Sequence, residues 1–214
     1  MKGKFITFEG SEGCGKSTQS RLLYQYLKNK GYNVVYLREP GGTKIGEKIR
    51  KILLAPKNHI SPICETFLYM AARAQLVSEI IRPALSKRKV VICDRFLDST
   101  VAYQGFGLGM DIKFIKYMGN FATEGINPDL TILMDLPLKS GLAHRKYSKD
   151  RIERRSLTYH SRVRKGYLEL AHLEPKRIKV VKVDTDKNKT QEKIRKLVLN
   201  KICHSRISEV TISR

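Results

Sequence analysis

The stretch Gly10-Ser11-Glu12-Gly13-Cys14-Gly15-Lys16-Ser17-Thr18 constrains this chain more than any other. It follows a short apolar run, Phe5 to Phe8, and precedes Leu22, Leu23, Tyr26 and Leu27 at helical spacing. A strand, a glycine-rich turn and a helix in that order make a cradle for phosphate groups. The glycines let backbone N–H groups turn inward, Lys16 reaches the terminal phosphates, and Ser17 offers a hydroxyl to Mg²⁺. The helix start adds unpaired donors and the positive end of a dipole. All nine positions are therefore read as binding a nucleoside triphosphate.

The rest of the chain supplies the frame for that turn. Gly31 reads as a helix stop, 33–37 as a second buried strand, and Arg38-Glu39-Pro40-Gly41-Gly42-Thr43 as a loop whose threonine caps a helix over 44–54. Ser61-Pro62 opens another helix, expected to end or kink near Pro83. Further strands are predicted over 90–93, 130–134 and 178–183, the last alternating with lysines and so nearer a sheet edge. A helix is expected from about Ser99, interrupted by Gly105, Gly107 and Gly109, then one capped by Asp111, and a final one over 190–201. Alternating strands and helices imply an α/β, P-loop NTPase-type three-layer fold: a five-stranded parallel sheet with helices on both faces, built as one domain over 1–214. Ligands then gather at the C-terminal strand ends, which here are Glu9-Gly10, Arg38-Glu39, Asp94-Arg95 and Asp135. Residues 143–155 are almost wholly charged and offer no apolar anchor, and the tail 203–214 carries no signal.

The formal charge of +22 raises the question of a polynucleotide partner. The basic residues are spread along the chain, and no aromatic–basic interleaving for stacking single strands is present. The charge is read as serving anionic small molecules rather than nucleic acid. No apolar run approaches the ~20 residues of a membrane span. The cysteines, Cys14, Cys64, Cys93 and Cys203, lie far apart without C-x-x-C pairing, which argues against zinc and against disulfides and suits a reducing cytoplasm.

A phosphate loop alone does not name the acceptor. Arg38, Arg73 and Arg95, with the basic segment 144–155, are the set that a second phosphate-bearing substrate needs, and no guanine-reading motif occurs. This points to a nucleotide kinase. The competing readings are a kinase for a different nucleoside monophosphate and a small nucleic-acid-stimulated ATPase.

Beyond the phosphate loop, Arg38 to Thr43, Tyr69-Met70-Ala71-Ala72-Arg73, Asp94-Arg95-Phe96, Ser99-Thr100, Ala102-Tyr103-Gln104-Gly105 and Asp150-Arg151-Ile152-Glu153 form a recognisable set. With them the chain resembles the thymidylate kinases of bacterial type, from about Lys4 to about Val183. The resemblance implies transfer of phosphate from ATP to dTMP with Mg²⁺, by a cytoplasmic homodimer that uses the helix over 61–81 as a contact. Glu12, which would repel a triphosphate if it pointed inward, would accept from the acceptor sugar. Arg38 and Arg95 would hold the dTMP phosphate, and Asp94 would orient Arg95 and help order the metal with Ser17. Tyr69 would stack on thymine, Arg73 reach its carbonyl edge, and Thr100, Tyr103 and Gln104 complete the dTMP site. The segment 143–155 corresponds to a mobile basic lid. Because Gly13 stands where eukaryotic-type enzymes place an arginine, either Arg145 or Arg151 is expected to supply catalytic charge from the lid. Cys14, beside a helix N-terminus, is expected to be reactive, so that alkylation inactivates and ATP protects.

Overall fold

The computed structural model of the protein describes residues 3–143 and 150–207. Strands β1 (Lys4–Glu9), β2 (Val34–Arg38), β3 (Val90–Asp94), β4 (Leu130–Asp135) and β5 (Ile178–Lys182) form one sheet in the order β2-β3-β1-β4-β5. Every pairing is parallel, with Phe5 opposite Val91 and Ile6 opposite Leu130. The strand order changes direction at β1, so the glycine-rich turn that follows β1 emerges at the switch point, where open parallel sheets bind ligands. β5 lies at one edge as its lysines suggested. β2 occupies the other edge and is only partly covered, where full burial had been expected.

The pleat sorts the apolar residues onto two faces. Ile6, Phe8, Ile92 and Ile132 pack with Leu23 and Leu27 of α1 (Lys16–Asn29) and with Ile194 and Val198 of α9 (Lys187–Ile207). Phe5, Val91 and Cys93 face the opposite layer. That layer contains α3 (Pro62–Leu76), α4 (Arg82–Ser86), α5 (Leu97–Thr100), α6 (Ile112–Ala122) and α8 (Leu157–Leu173); α2 (Lys44–Leu54) packs on α3, and α7 (Leu138–Ala143) follows β4. Thr43, Ser61 and Asp111 each accept from backbone N–H groups at the starts of α2, α3 and α6, as their positions predicted.

Two π-helical turns stand at the expected breaks. The helix from Ser61, expected to end or kink near Pro83, loses its regular α geometry just before it: a π turn over Val77–Ile81 leads into α4, which ends at Ser86. There the Arg82 N–H reaches back to Val77 O, a wide π-type bond, and Pro83, which has no N–H to donate, follows directly in the first turn of α4. A second π turn, Val101–Gly107, continues α5 and carries Tyr103 and Gln104. Gly105 and Gly107 sit inside it, Gly105 against Ile112 and Gly107 against Tyr159, so they permit close packing rather than interrupt the helix.

Candidate active site

The turn after β1 is held open by glycine. Gly10, Gly13 and Gly15 adopt φ of 140°, 74° and 84°, the left-handed side that L-residues avoid. At Gly13 a side chain is excluded twice over, because a Cβ there would lie 2.0 Å from Gly141 O in α7. This explains why the position cannot carry an arginine. Lys16 Nζ donates to Ser11 O at 2.7 Å, folded within the loop it serves. Ser17 Oγ donates to Asp94 Oδ2 across the β1–β3 boundary. Cys14 is buried, at 1% exposure, with its sulfur against the loop. The expectation of ready alkylation there does not hold in this conformation, since no reagent reaches a thiol so covered.

Beside the loop lies a second charged centre. Arg95, itself in the left-handed region at φ 73°, donates through Nη2 to Glu12 Oε1 at 2.5 Å and to Tyr103 OH at 3.1 Å. Its Nη1 reaches Ser99 Oγ and Tyr167 OH at 3.3 and 3.2 Å. Burial opposes the charge on this guanidinium, but Glu12, paired directly with it, outweighs burial and holds the group protonated. Burial likewise pushes the Tyr103 and Tyr167 hydroxyls up, so both remain hydrogen-bond donors. The expected role of Asp94 in orienting Arg95 is filled instead by Glu12 and these hydroxyls, because Asp94 is directed to Ser17.

Glu9, flagged in the sequence only as a strand end at the site edge, underlies this centre. It is fully buried at the end of β1 and accepts from Phe96 N at 2.7 Å, Ser99 Oγ at 2.6 Å and Tyr167 OH at 2.8 Å. Those bonds fix the reversal after β3 that presents Arg95. Burial first, and the nearby Asp98 second, raise its carboxyl to about 7 against the opposing pull of Arg95. In sequence, the strand-end position of Glu9 marked it as near the site but gave no role, and Tyr167, one more residue on the buried face of α8, carried no signal.

The remaining predicted residues surround a cleft of about 350 Å³. Tyr69, Thr100, Tyr103 and Gln104 line it together with Arg38, Asp94, Arg95 and the phosphate loop from Glu12 to Thr18, Cys14 excepted. Arg73 does not. It is buried beneath, donating to Glu39, Thr100 Oγ1, Phe96 O and, weakly at 3.5 Å, Met70 Sδ. Burial raises the Glu39 carboxyl while Arg73 opposes the shift. Arg50 joins the lining unpredicted, its Nη1 on Pro40 O at 2.9 Å; it had looked like an ordinary polar position of α2.

The basic segment is only half as expected. Residues 144–149, Arg145 among them, lie outside the described residues. The part after them is anchored. Ile152 is buried, Asp150 Oδ1 accepts from Ile152 N and Glu153 N, and Arg151 and Arg155 both pair with buried Glu65. Arg151 also donates to Leu53 O and does not line the cleft, so it does not face the phosphate loop here.

A parallel sheet with a phosphate loop at its switch point, continuous with a cationic pocket and an aromatic one, defines a P-loop phosphotransferase acting on a nucleotide. The family profile described as Thymidylate kinase matches residues 8–194. Thymidylate kinases of Thermoanaerobacter sp. (strain X514), Symbiobacterium thermophilum and Kosmotoga olearia are 51%, 50% and 46% identical to the chain, covering 83%, 91% and 94% of it and 88%, 92% and 99% of themselves. The crystal structure of thymidylate kinase from Ehrlichia chaffeensis superposes with a TM-score of 0.76 at 34% identity, over 92% of this chain and 99% of that one. The chain belongs to the thymidylate kinase family.

Proposed function

We propose that the protein transfers the γ-phosphoryl group of ATP to dTMP, giving dTDP and ADP, a step in dTTP supply. One observation carries this reading: a single cleft is lined both by Lys16, Ser17 and Asp94 and by Arg95, Tyr69, Thr100 and Gln104. The loop backbone and Lys16 hold the ATP phosphates. Arg38, Arg50 and Arg95 hold the phosphate of dTMP. Glu12 turns from Arg95 toward the sugar hydroxyl, and Tyr69 stacks on the base. Arg73 supports the base pocket from beneath, through its bond to Thr100 Oγ1.

The acceptor phosphate, with a second pKa of about 6, is already mostly dianionic at neutral pH. No side chain needs to remove a proton, and the residues instead position the two substrates and offset charge. Among the described residues no group of three or more His, Cys, Asp or Glu side chains could bind a metal by itself. The Ser17 hydroxyl and Asp94 carboxylate, side by side, fit a hard cation such as Mg²⁺ that keeps water and phosphate ligands. When bound, Mg²⁺ offsets charge on the transferring phosphoryl oxygens. Of the two lid arginines, Arg145 is the one we assign to that charge, since Arg151 is committed to Glu65.

We assign the exposed apolar residues Ile63 and Phe67 of α3 and Phe114, Tyr117 and Phe121 of α6 to a homodimer contact. The buried free thiols of Cys14 and Cys93 suit a reducing cytoplasm. ATP and dTMP are the partners, with no polynucleotide required and no membrane.

Incubating the protein with ATP, Mg²⁺ and each of dTMP, dCMP, dGMP and dAMP tests the proposal. dTDP is the expected main product. ATP hydrolysis without dTDP, or equal turnover of the four acceptors, would overturn it.

A further inference from the structure

Glu65 is fully buried on α3 and does not line the cleft, yet side chains from two other segments converge on it. Its Oε2 accepts from Arg151 and, at 2.7 Å, from Arg155 Nη2. Its Oε1 accepts from Gln104 Nε2 at 2.8 Å. Both oxygens of Glu65 therefore act as acceptors, one from two guanidinium groups and the other from the Gln104 amide. Gln104 therefore has one favourable orientation. Its amide nitrogen faces Glu65, and the geometry of the amide turns its carbonyl oxygen the other way. A flipped amide would set two acceptors against each other in a buried site, where low dielectric enlarges the penalty. Gln104 itself borders the cleft next to Thr100 and Tyr69.

We propose that Glu65 sets the hydrogen-bond polarity of Gln104 and thereby makes the base pocket select pyrimidines that carry a proton on N3. This rests on Gln104 reading the base. A carbonyl oxygen at that point accepts from N3–H of a thymine or uracil ring. Cytosine offers a lone pair at N3 and meets repulsion instead. A glutamine free to turn over would serve either ring, so discrimination lies in the carboxylate behind it. Glu65 touches no substrate and acts as a positioning residue through Gln104. Its other oxygen ties the same point to the root of the basic segment, through Arg151 and Arg155.

The test is kcat/KM for dTMP and dCMP in the wild type, Glu65→Gln, Gln104→Leu and the double variant, with thermal unfolding of each. Glu65→Gln should lower the dTMP-to-dCMP ratio about tenfold or more, the worth of one buried hydrogen bond made or opposed. It should not change that ratio further in the Gln104→Leu background. Equal loss of activity toward both substrates in Glu65→Gln, with the ratio intact, would reduce Glu65 to a structural role and overturn the proposal. Unchanged KM for dTMP and an unchanged ratio in Gln104→Leu would overturn instead the assignment of Gln104 to the base. If Glu65→Gln does not fold, the wild type decides the matter by NMR of ¹⁵N-glutamine-labelled protein with dTMP bound. One Gln104 side-chain amide proton should be shifted downfield and protected from exchange, and an unprotected, freely exchanging pair would overturn the proposal.

Discussion

Replacing Glu9 with glutamine should remove a pH dependence of stability that the wild-type protein carries. In the unfolded chain this carboxyl ionises near its ordinary 4.5, while in the fold burial and Asp98 hold its proton to about 7. Between those values the native state binds one more proton than the unfolded state, so raising the pH favours unfolding. The sign is opposite to that of a salt-bridged carboxylate: the cost is absent below the lower value and fully present above the upper one. The displacement from 4.5 to about 7 corresponds to about 3 kcal/mol at about 1.4 kcal/mol per pH unit. Glutamine is close to isosteric with the neutral acid and stays neutral throughout. Urea unfolding followed by circular dichroism, from about pH 5 to about pH 8, compares the two proteins while other titrations cancel in the difference. The difference should move by about 2–3 kcal/mol in favour of Glu9→Gln as the pH rises. If the two stability curves run parallel within about 0.5 kcal/mol, the account of Glu9 as a carboxyl held neutral by burial is wrong.

Other consequences are direct. Gly13→Ala places a methyl carbon on Gly141 O at a φ of 74°, and should lower kcat/KM for ATP by about tenfold or more, measured in the coupled dTDP assay. A brief maleimide treatment followed by peptide mapping should label exposed Cys64 before buried Cys14 and Cys93; burial also pushes the Cys93 thiol up, and rapid labelling of Cys14 would contradict the loop packing. Arg177 forms two bonds to Asp98, at 2.7 and 2.9 Å, that link the α8–β5 junction to α5. Arg177→Met strands that carboxylate and should cost about 3 kcal/mol in thermal or urea unfolding. Arg145→Ala should lower kcat by about tenfold or more, and Arg151→Ala should act chiefly on stability, so a larger kcat effect at Arg151 would reverse the lid assignment.

What the sequence determined by itself was local or periodic. The phosphate loop is nine consecutive residues whose glycines, lysine and serine work through their own backbone and immediate neighbours. The strand alternation, the helix caps at Thr43, Ser61 and Asp111, and the edge position of β5 follow from patterns within a few residues. Arg38 and Arg95 stood out at strand ends, whereas the Tyr69, Thr100 and Gln104 set was legible only through the family resemblance; all five line the cleft. What only the tertiary structure decided involves partners far apart in the chain. Glu9 and Tyr167 meet across 158 positions, and Glu65 meets Arg155 across 90. Each of these residues has an ordinary appearance in its own segment. Arg73 looked like a cleft residue because helical spacing gives direction but not depth, and burial placed it beneath the floor. Gly13 seemed a matter of missing charge until the fold set Gly141 against it. Side-chain chemistry is written in the sequence, but which carboxylate faces which arginine, and through which amide, is settled only when the layers pack.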